Sequence, residues 1–294
     1  MPRTAPNTSG RPELDTERSR AARKRAEGAL VALLNELGEF DPPLIVLGGL
    51  VPDLLTRDQD VPAPQHLGTT DVDILIDFQV AADQDLGPIE DALEKLGFSP
   101  APGVAGWRWI GRIGEAPVKL EFLCELDDQP AEHVIRPAGC RRLTAVNLRG
   151  TGYAREDWRF EEITGMLPDG SPVTVKARVA GLCGYLLAKA TAVRERGEEK
   201  DYYDFAFVII YNRLGGPAQV AKALRDGQFG DRLRSVRLQR VWQEIADRFG
   251  AADRIGAAGY AAQALLADPT ADEARLRQDA TAAVSEFLGA LGVL

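Results

Sequence analysis

Asp71 and Asp73 stand two apart in the stretch HLGTTDVDILIDF, at the front of a run that otherwise reads as a buried β-strand. Side chains two apart on a strand point the same way, so both carboxylates project from one face. Held that close they repel each other, and a cation between them relieves the repulsion. A second alternating run, VKLEFLCE, puts Val118, Leu120, Phe122 and Cys124 on one face and Lys119, Glu121, Leu123 and Glu125 on the other. If the two runs are neighbours in one sheet, Glu121 joins the aspartates as a third carboxylate. Three such groups, with room for water and phosphate oxygens, suit Mg²⁺. Two such ions can clamp the attacking and leaving oxygens of an in-line phosphoryl displacement.

Gly48 and Gly49, in LIVLGGL, supply a turn at a helix start where backbone N–H groups can meet a triphosphate. Taken singly, an Asp-x-Asp pair or a Gly-Gly turn is more often structural. The order is the specific signal: strand, Gly-Gly, helix, about twenty residues, Thr-x-Asp-x-Asp from Thr69 opening a strand, then a glutamate on a later alternating strand. Two helices add charges on apolar faces. Lys189 shares a face with Leu182, Leu186 and Val193, where it either snorkels outward or reaches a buried anion. Asp201 and Asp204 share a face with Phe205 and Val208; the plain alternative is a Lys200–Asp204 surface pair at i,i+4.

The elements that must position these residues follow from periodicity. Residues 1–10 are rich in Pro, Thr, Ser and Gly and are expected to be disordered. A helical stripe runs over 11–38, then a strand at LIVL and a short helix over 52–56. The strand DVDILIDF sets Val72, Ile74, Ile76 and Phe78 against Asp71, Asp73, Leu75 and Asp77. A helix over 86–96 ends at Gly97, and WRWIG and VKLEFLCE are strands joined by a Gly-containing turn. Strands over 158–164 and 173–177 flank the turn PDGSP. Helices are expected over 179–196 and 200–213, and more to the end. The reading is α+β: a mixed sheet with flanking helices over 11–175, then a helical bundle over 176–294.

The chain has 294 residues, 45% of them hydrophobic and 27% charged, with net charge −9. This is a globular composition, and the net charge argues against a surface coated with nucleic-acid-binding residues. The longest apolar run, 44–51, is too short to span a bilayer. The N-terminal stretch has no apolar core for a secretory signal, and three dispersed cysteines form neither a disulfide framework nor a zinc pattern; a reducing cytoplasm is expected. Locally the charge reverses. Arg136, Arg141, Arg142, Arg149 and Arg155 occur between His133 and Arg155 with no acid among them, and Arg232, Arg234, Arg237 and Arg240 form a second cluster. Each is either a solvated face or a restricted grip for RNA.

GGLVPDLL, GTTDVDILID and LEFL together resemble the nucleotidyltransferase fold shared with DNA polymerase beta. LLAKATAVRERGEEKDYYDFAFV resembles the third and fourth motifs of the AbiEii-type nucleotidyltransferases, a family that includes abortive-infection toxins and the mycobacterial MenT toxins. The resemblance covers roughly residues 44–210. It implies transfer of NMP from an NTP to an acceptor hydroxyl, with release of pyrophosphate. Asp71 and Asp73 would hold both Mg²⁺ ions and Glu121 the ion that activates the acceptor. Lys189 would hold the triphosphate, with Asp204 orienting it, and Gly48, Gly49, Thr69, Lys200 and Asp201 would complete the nucleotide site. The MenT branch implies a tRNA 3′ end as acceptor, gripped by Arg136, Arg141, Arg142 and Arg149, and a toxin–antitoxin setting with a small antitoxin as partner. Transfer to an aminoglycoside-like small molecule or a protein side chain, and a non-catalytic nucleotide-binding protein, are the alternatives. Two positions depart from the family pattern: Gly49 stands where a serine is common, and Leu67, beside His66, where an arginine often precedes the threonine.

Overall fold

The computed structural model of the protein describes residues 18–56, 63–81, 84–114, 116–167 and 169–293. The expected disordered tail over 1–10 lies outside them. In chain order come α1 (Arg20–Leu37), β1 (Leu44–Leu47), a 3₁₀ turn (Gly48–Leu50), α2 (Val51–Thr56), β2 (Asp71–Ile76), α3 (Gly87–Lys95), β3 (Ser99–Pro100), β4 (Arg108–Ile113) and β5 (Ala116–Cys124). Next are β6 (Val134–Ile135), β7 (Ala145–Asn147), α4 (Gly152–Glu156), β8 (Trp158–Met166) and β9 (Pro172–Ala180). The remainder is helical: α5 (Leu182–Glu195), α6 (Glu199–Tyr211), α7 (Pro217–Asp226), α8 (Val236–Phe249), α9 (Ile255–Ala267) and α10 (Glu273–Leu291).

The strands form one mixed sheet in the order β3-β4-β5-β2-β1-β9-β8, with β7 beside β5 and β6 beside β7. The two strands carrying the carboxylates are neighbours and run parallel. β1 is antiparallel to β2 and parallel to β9. β1 is buried along its whole length, as its unbroken apolar run requires. β2 and β5 alternate, burying Val72, Ile74, Leu120 and Phe122.

α1 starts where the Ser19 hydroxyl accepts a hydrogen bond from the Ala22 amide, and the chain leaves it through Gly38 at φ 58°. It lies across the sheet, in contact with β2, β4, β5, β8 and β9, and buries Ala29, Leu30 and Leu33. α6 is buried continuously from Asp201 to Ile209, between α5, α9 and α10. An aromatic cluster closes the helical part, with Phe287 edge-on to both Phe205 and Trp242. The fold is thus mixed, a sheet with flanking helices followed by helices. β9 runs to Ala180, five residues into the part expected to be helical, because its partner β8 keeps pairing as far as Trp158. β3, β6, β7 and α4 were not foreseen; each is five residues or fewer.

Candidate active site

Strand register sets the first half of the site. In the β2–β5 ladder Asp71 faces Lys119 and Asp73 faces Glu121, while β1 sets Leu47 against Asp73. Asp71, Asp73 and Glu121 therefore share one sheet face, as their spacing implies. The Thr69 hydroxyl donates to Asp71 Oδ1 at 2.6 Å, and Arg108 Nε donates to Glu121 Oε1 at 2.7 Å. Gly48 has φ 68°, and a Cβ on it would lie 1.8 Å from Asp73 Oδ2. Only glycine can hold this turn and leave the carboxylate its place.

The charges are in tension. Burial, then the nearby charges of Asp71 and Glu121, push the Asp73 carboxyl up to about 7. Burial and Asp71 also raise Glu121. Burial acts on Asp71 in the same direction, but the Thr69 hydrogen bond and the charges of Lys200, Lys119 and Arg18 outweigh it and hold Asp71 low. A pair of carboxylates under mutual repulsion, open to a cleft, fits a divalent cation. Among the described residues, however, no ready-made group of three His, Cys, Asp or Glu side chains can hold a metal ion. Arg108 already occupies one oxygen of Glu121. Asp71 and Asp73, completed by phosphate oxygens and water, still meet what Mg²⁺ requires of a protein.

The second half comes from α5 and α6. Lys189 is 7% exposed and does not snorkel. Its Nζ lies 2.8 Å from Asp204 Oδ2 and 3.5 Å from Asp201 Oδ1. Arg196 donates twice to Asp201, both at 2.7 Å. Lys200 pairs with Glu198 at 3.2 Å rather than with Asp204. Asp204 is a hub: besides Lys189 it accepts from Arg18 Nη2 at 2.6 Å and from His66 Nε2 at 2.9 Å. These partners hold Asp204 well below the usual carboxylate range, against the burial that opposes them. Burial depresses His66 below its ordinary value despite Asp204, so the ring is neutral near pH 7. The Gly68 amide donates to Nδ1, which assigns the proton to Nε2.

These halves enclose a cleft of about 770 Å³. It is lined by Gly49, Thr69, Asp71, Asp73 and Glu121 on the sheet side and by five cations, Arg18, Lys119, Lys189, Arg196 and Lys200. The size falls within the roughly 300–1,000 Å³ usual for ligand sites. Ser19, at the start of α1, and Gln263 and Leu266, on α9, reach the same cleft. A smaller, more apolar cavity of about 230 Å³ shares Asp73, Glu121, Lys189 and Arg196 with it. Leu47, Leu123, Leu148 and Tyr185 are among its walls, as is Glu132, whose φ of 63° is the one positive value at a non-glycine among the described residues. The buried Tyr185 hydroxyl has no hydrogen-bond partner among them.

The arginines expected to grip RNA are not gathered here. Arg141 binds Glu90, Asp91 and Glu94 of α3, and Arg142 binds Glu94. Arg149 donates to the carbonyls of Leu126 and Gln129 and lines the smaller cavity. Arg136 lies on the loop between β6 and β7, exposed. The acid-free stretch is thus met by acids from another helix. In the later cluster Arg232 pairs with Glu156 and Arg237 with Glu125.

Sequence reasoning missed Arg18, Lys119, Arg108 and Arg196 as parts of the site, and noted His66 only by its place. Lys119 and Arg196 were visible: one shares the face of Glu121, and the other follows Lys189 by seven residues along the same helical run. Arg18 and Arg108 carry no local signal. No family model, no curated protein and no solved structure matches this chain.

Proposed function

We propose that this protein is a Mg²⁺-dependent nucleotidyltransferase that moves NMP from an NTP to an acceptor hydroxyl. The observation that carries the reading is the parallel β2–β5 register, which sets Asp73 against Glu121 beside Asp71 at the wall of a cleft lined by five cations. Asp71 and Asp73 would hold the ion, with Glu121 sharing a second, and bound there Mg²⁺ supplies charge neutralisation for the triphosphate. Gly49 and Thr69 present the turn against which phosphates lie. The acceptor hydroxyl loses its proton to water as its oxygen bonds to the α-phosphorus, the bond from that phosphorus to the bridging oxygen breaks, and pyrophosphate leaves. Lys189, buried and aimed into the cleft, meets the charge that develops on the leaving group, and Asp204 fixes its direction.

The motif resemblance to AbiEii and MenT proteins supports a tRNA 3′ end as acceptor and a toxin with an antitoxin partner. The smaller cavity favours a second reading. Its 230 Å³ lies below the roughly 300 Å³ at which drug-sized sites begin, so it suits a compact acceptor better than a polycationic sugar. The test incubates purified protein with total tRNA, Mg²⁺ and each labelled NTP in turn, with Asp71→Ala beside it, then repeats with small hydroxylated acceptors and protein. Label entering one acceptor class with wild type alone is the expected result. Label that survives Asp71→Ala would sink the metal assignment.

A further inference from the structure

Arg18 stands outside every motif in the sequence, one residue before the Ser19 cap of α1, yet its guanidinium ends in the cleft. Nε donates to the Gly68 carbonyl at 2.7 Å, Nη2 to Asp204 Oδ1 at 2.6 Å and Nη1 to Gln263 Oε1 at 3.4 Å. The side chain is 11% exposed and lies over the Tyr203 ring at 5.5 Å. A guanidinium offers five N–H donors in a rigid fork, so among the described residues two remain after these three bonds.

The bland reading is that Arg18 neutralises Asp204. Counting charges argues against that as its whole role. The buried pair Asp201 and Asp204 carries two negative charges, and Lys189, Arg196 and Arg18 bring three positive ones. Lys189 and Arg196 already match the two carboxylates, and neutral His66 donates to Asp204 besides. Beside these two carboxylates Arg18 is the third cation, and it borders the cleft, whose lining also carries Asp71, Asp73, Glu121, Glu198 and Glu199.

Two neighbouring positions lack a phosphate-binding side chain. Gly49 has none, and Leu67 is buried in the apolar core. The geometry explains the first. A Cβ on Gly49 would lie 2.6 Å from Thr69 Cβ and 3.4 Å from Arg18 Nη2, so Thr69 and Arg18 occupy the space that a side chain there would need. Gly68 is as tightly bound to the start of α1: at φ 98°, a Cβ on it would meet the Ser19 carbonyl at 2.7 Å. The beginning of α1 is thus seated against the same turn that carries Thr69 and Asp71.

We infer that Arg18 is a phosphate-binding residue of this cleft, delivered from the start of α1 to the place that Gly49 and Leu67 leave without a polar side chain. The inference rests on the nucleotidyl-transfer reading for the identity of the ligand as a nucleoside triphosphate. Its spare N–H groups face β- and γ-phosphate oxygens, and Asp204 and the Gly68 carbonyl hold the fork in place before the nucleotide arrives.

The experiment measures, by calorimetry with Mg²⁺, the binding of each NTP and its NMP to wild type, Arg18→Met and Arg18→Lys, with a thermal melt of each. An NMP keeps base, sugar and α-phosphate and lacks the groups assigned to Arg18. Arg18→Met is expected to bind the preferred NTP roughly 10- to 100-fold more weakly, the loss of a charge-assisted bond, with NMP binding unchanged. Arg18→Lys should fall between, and it decides the matter if the methionine variant does not fold. Equal NTP affinity in wild type and variants overturns the assignment and leaves the nucleotide reading standing. Parallel loss of NTP and NMP binding with a lowered melt also overturns it, since that is what a purely structural arginine would do. Wild type that binds no NTP removes the nucleotide reading and this inference with it.

Discussion

Asp73 is a residue the fold holds at a cost. Its carboxyl is raised to about 7 by burial and by Asp71 and Glu121. Between the ordinary carboxylate value and about 7, the folded chain keeps a proton that the unfolded chain has released. Stability therefore drains away as pH rises through that window, and the full penalty applies above it. Asp73→Asn removes the penalty. In Mg²⁺-free buffer at pH 8 the variant is expected to melt above wild type while losing transfer activity, and the gap should narrow as pH falls and close only near the ordinary carboxylate value. A variant that melts lower at pH 8 would show that the carboxylate is not under the repulsion described. The same residue shows what sequence can and cannot give. Asp71, Asp73 and Glu121 were legible because strand alternation is a local rule, and pairing of β2 with β5 then brings them together. The pairing of Arg108 with Glu121 was not, because it depends on the register of the β4–β5 hairpin.

At the level of elements, α3 and the turn before β7 are joined through one buried side chain. Glu90 accepts from the backbone amides of Arg141, Arg142 and Leu143 at 2.8, 2.8 and 2.9 Å and from Arg141 Nε at 3.2 Å. Burial opposes its ionisation, but those amides hold it below the usual glutamate range. Its contribution is fully present above the ordinary glutamate value and is lost as pH falls below it. Glu90→Gln is expected to cost about 1–3 kcal/mol, since the amide cannot satisfy all these donors. The urea midpoint at pH 7 reads the loss, and it should shrink near pH 3. An unchanged midpoint at pH 7 would mean that the turn is held otherwise. This device also shows what the basic stretch meets in the fold. A run of arginines reads as a free patch along the chain, and the acids that meet it come from some fifty residues earlier. The longer elements were legible from their periodicity; β3, β6, β7 and α4 were not, since pieces so short form only when tertiary neighbours hold them.

For the whole molecule, the cleft is where the parts meet: α1, the sheet, α5, α6 and α9 all line it. A ligand bridging them stabilises every part at once. With Mg²⁺ and the preferred NTP at about 100 times its dissociation constant, the fold should gain about 2.7 kcal/mol, a rise of a few degrees in the melt. Magnesium alone should give less. No shift with any NTP would argue that this cleft is not the nucleotide site.

The Arg18–Gln263 contact spans 245 positions of the chain. No stretch of the protein short of that span can assemble the cleft, so its wall closes only after α9 has been made and docked. During synthesis α1 emerges long before α9 and waits for the elements between them before it has every partner. Closing so long a loop is among the slow steps of folding. A ligand that needs the whole cleft would thus find it only once α9 has docked.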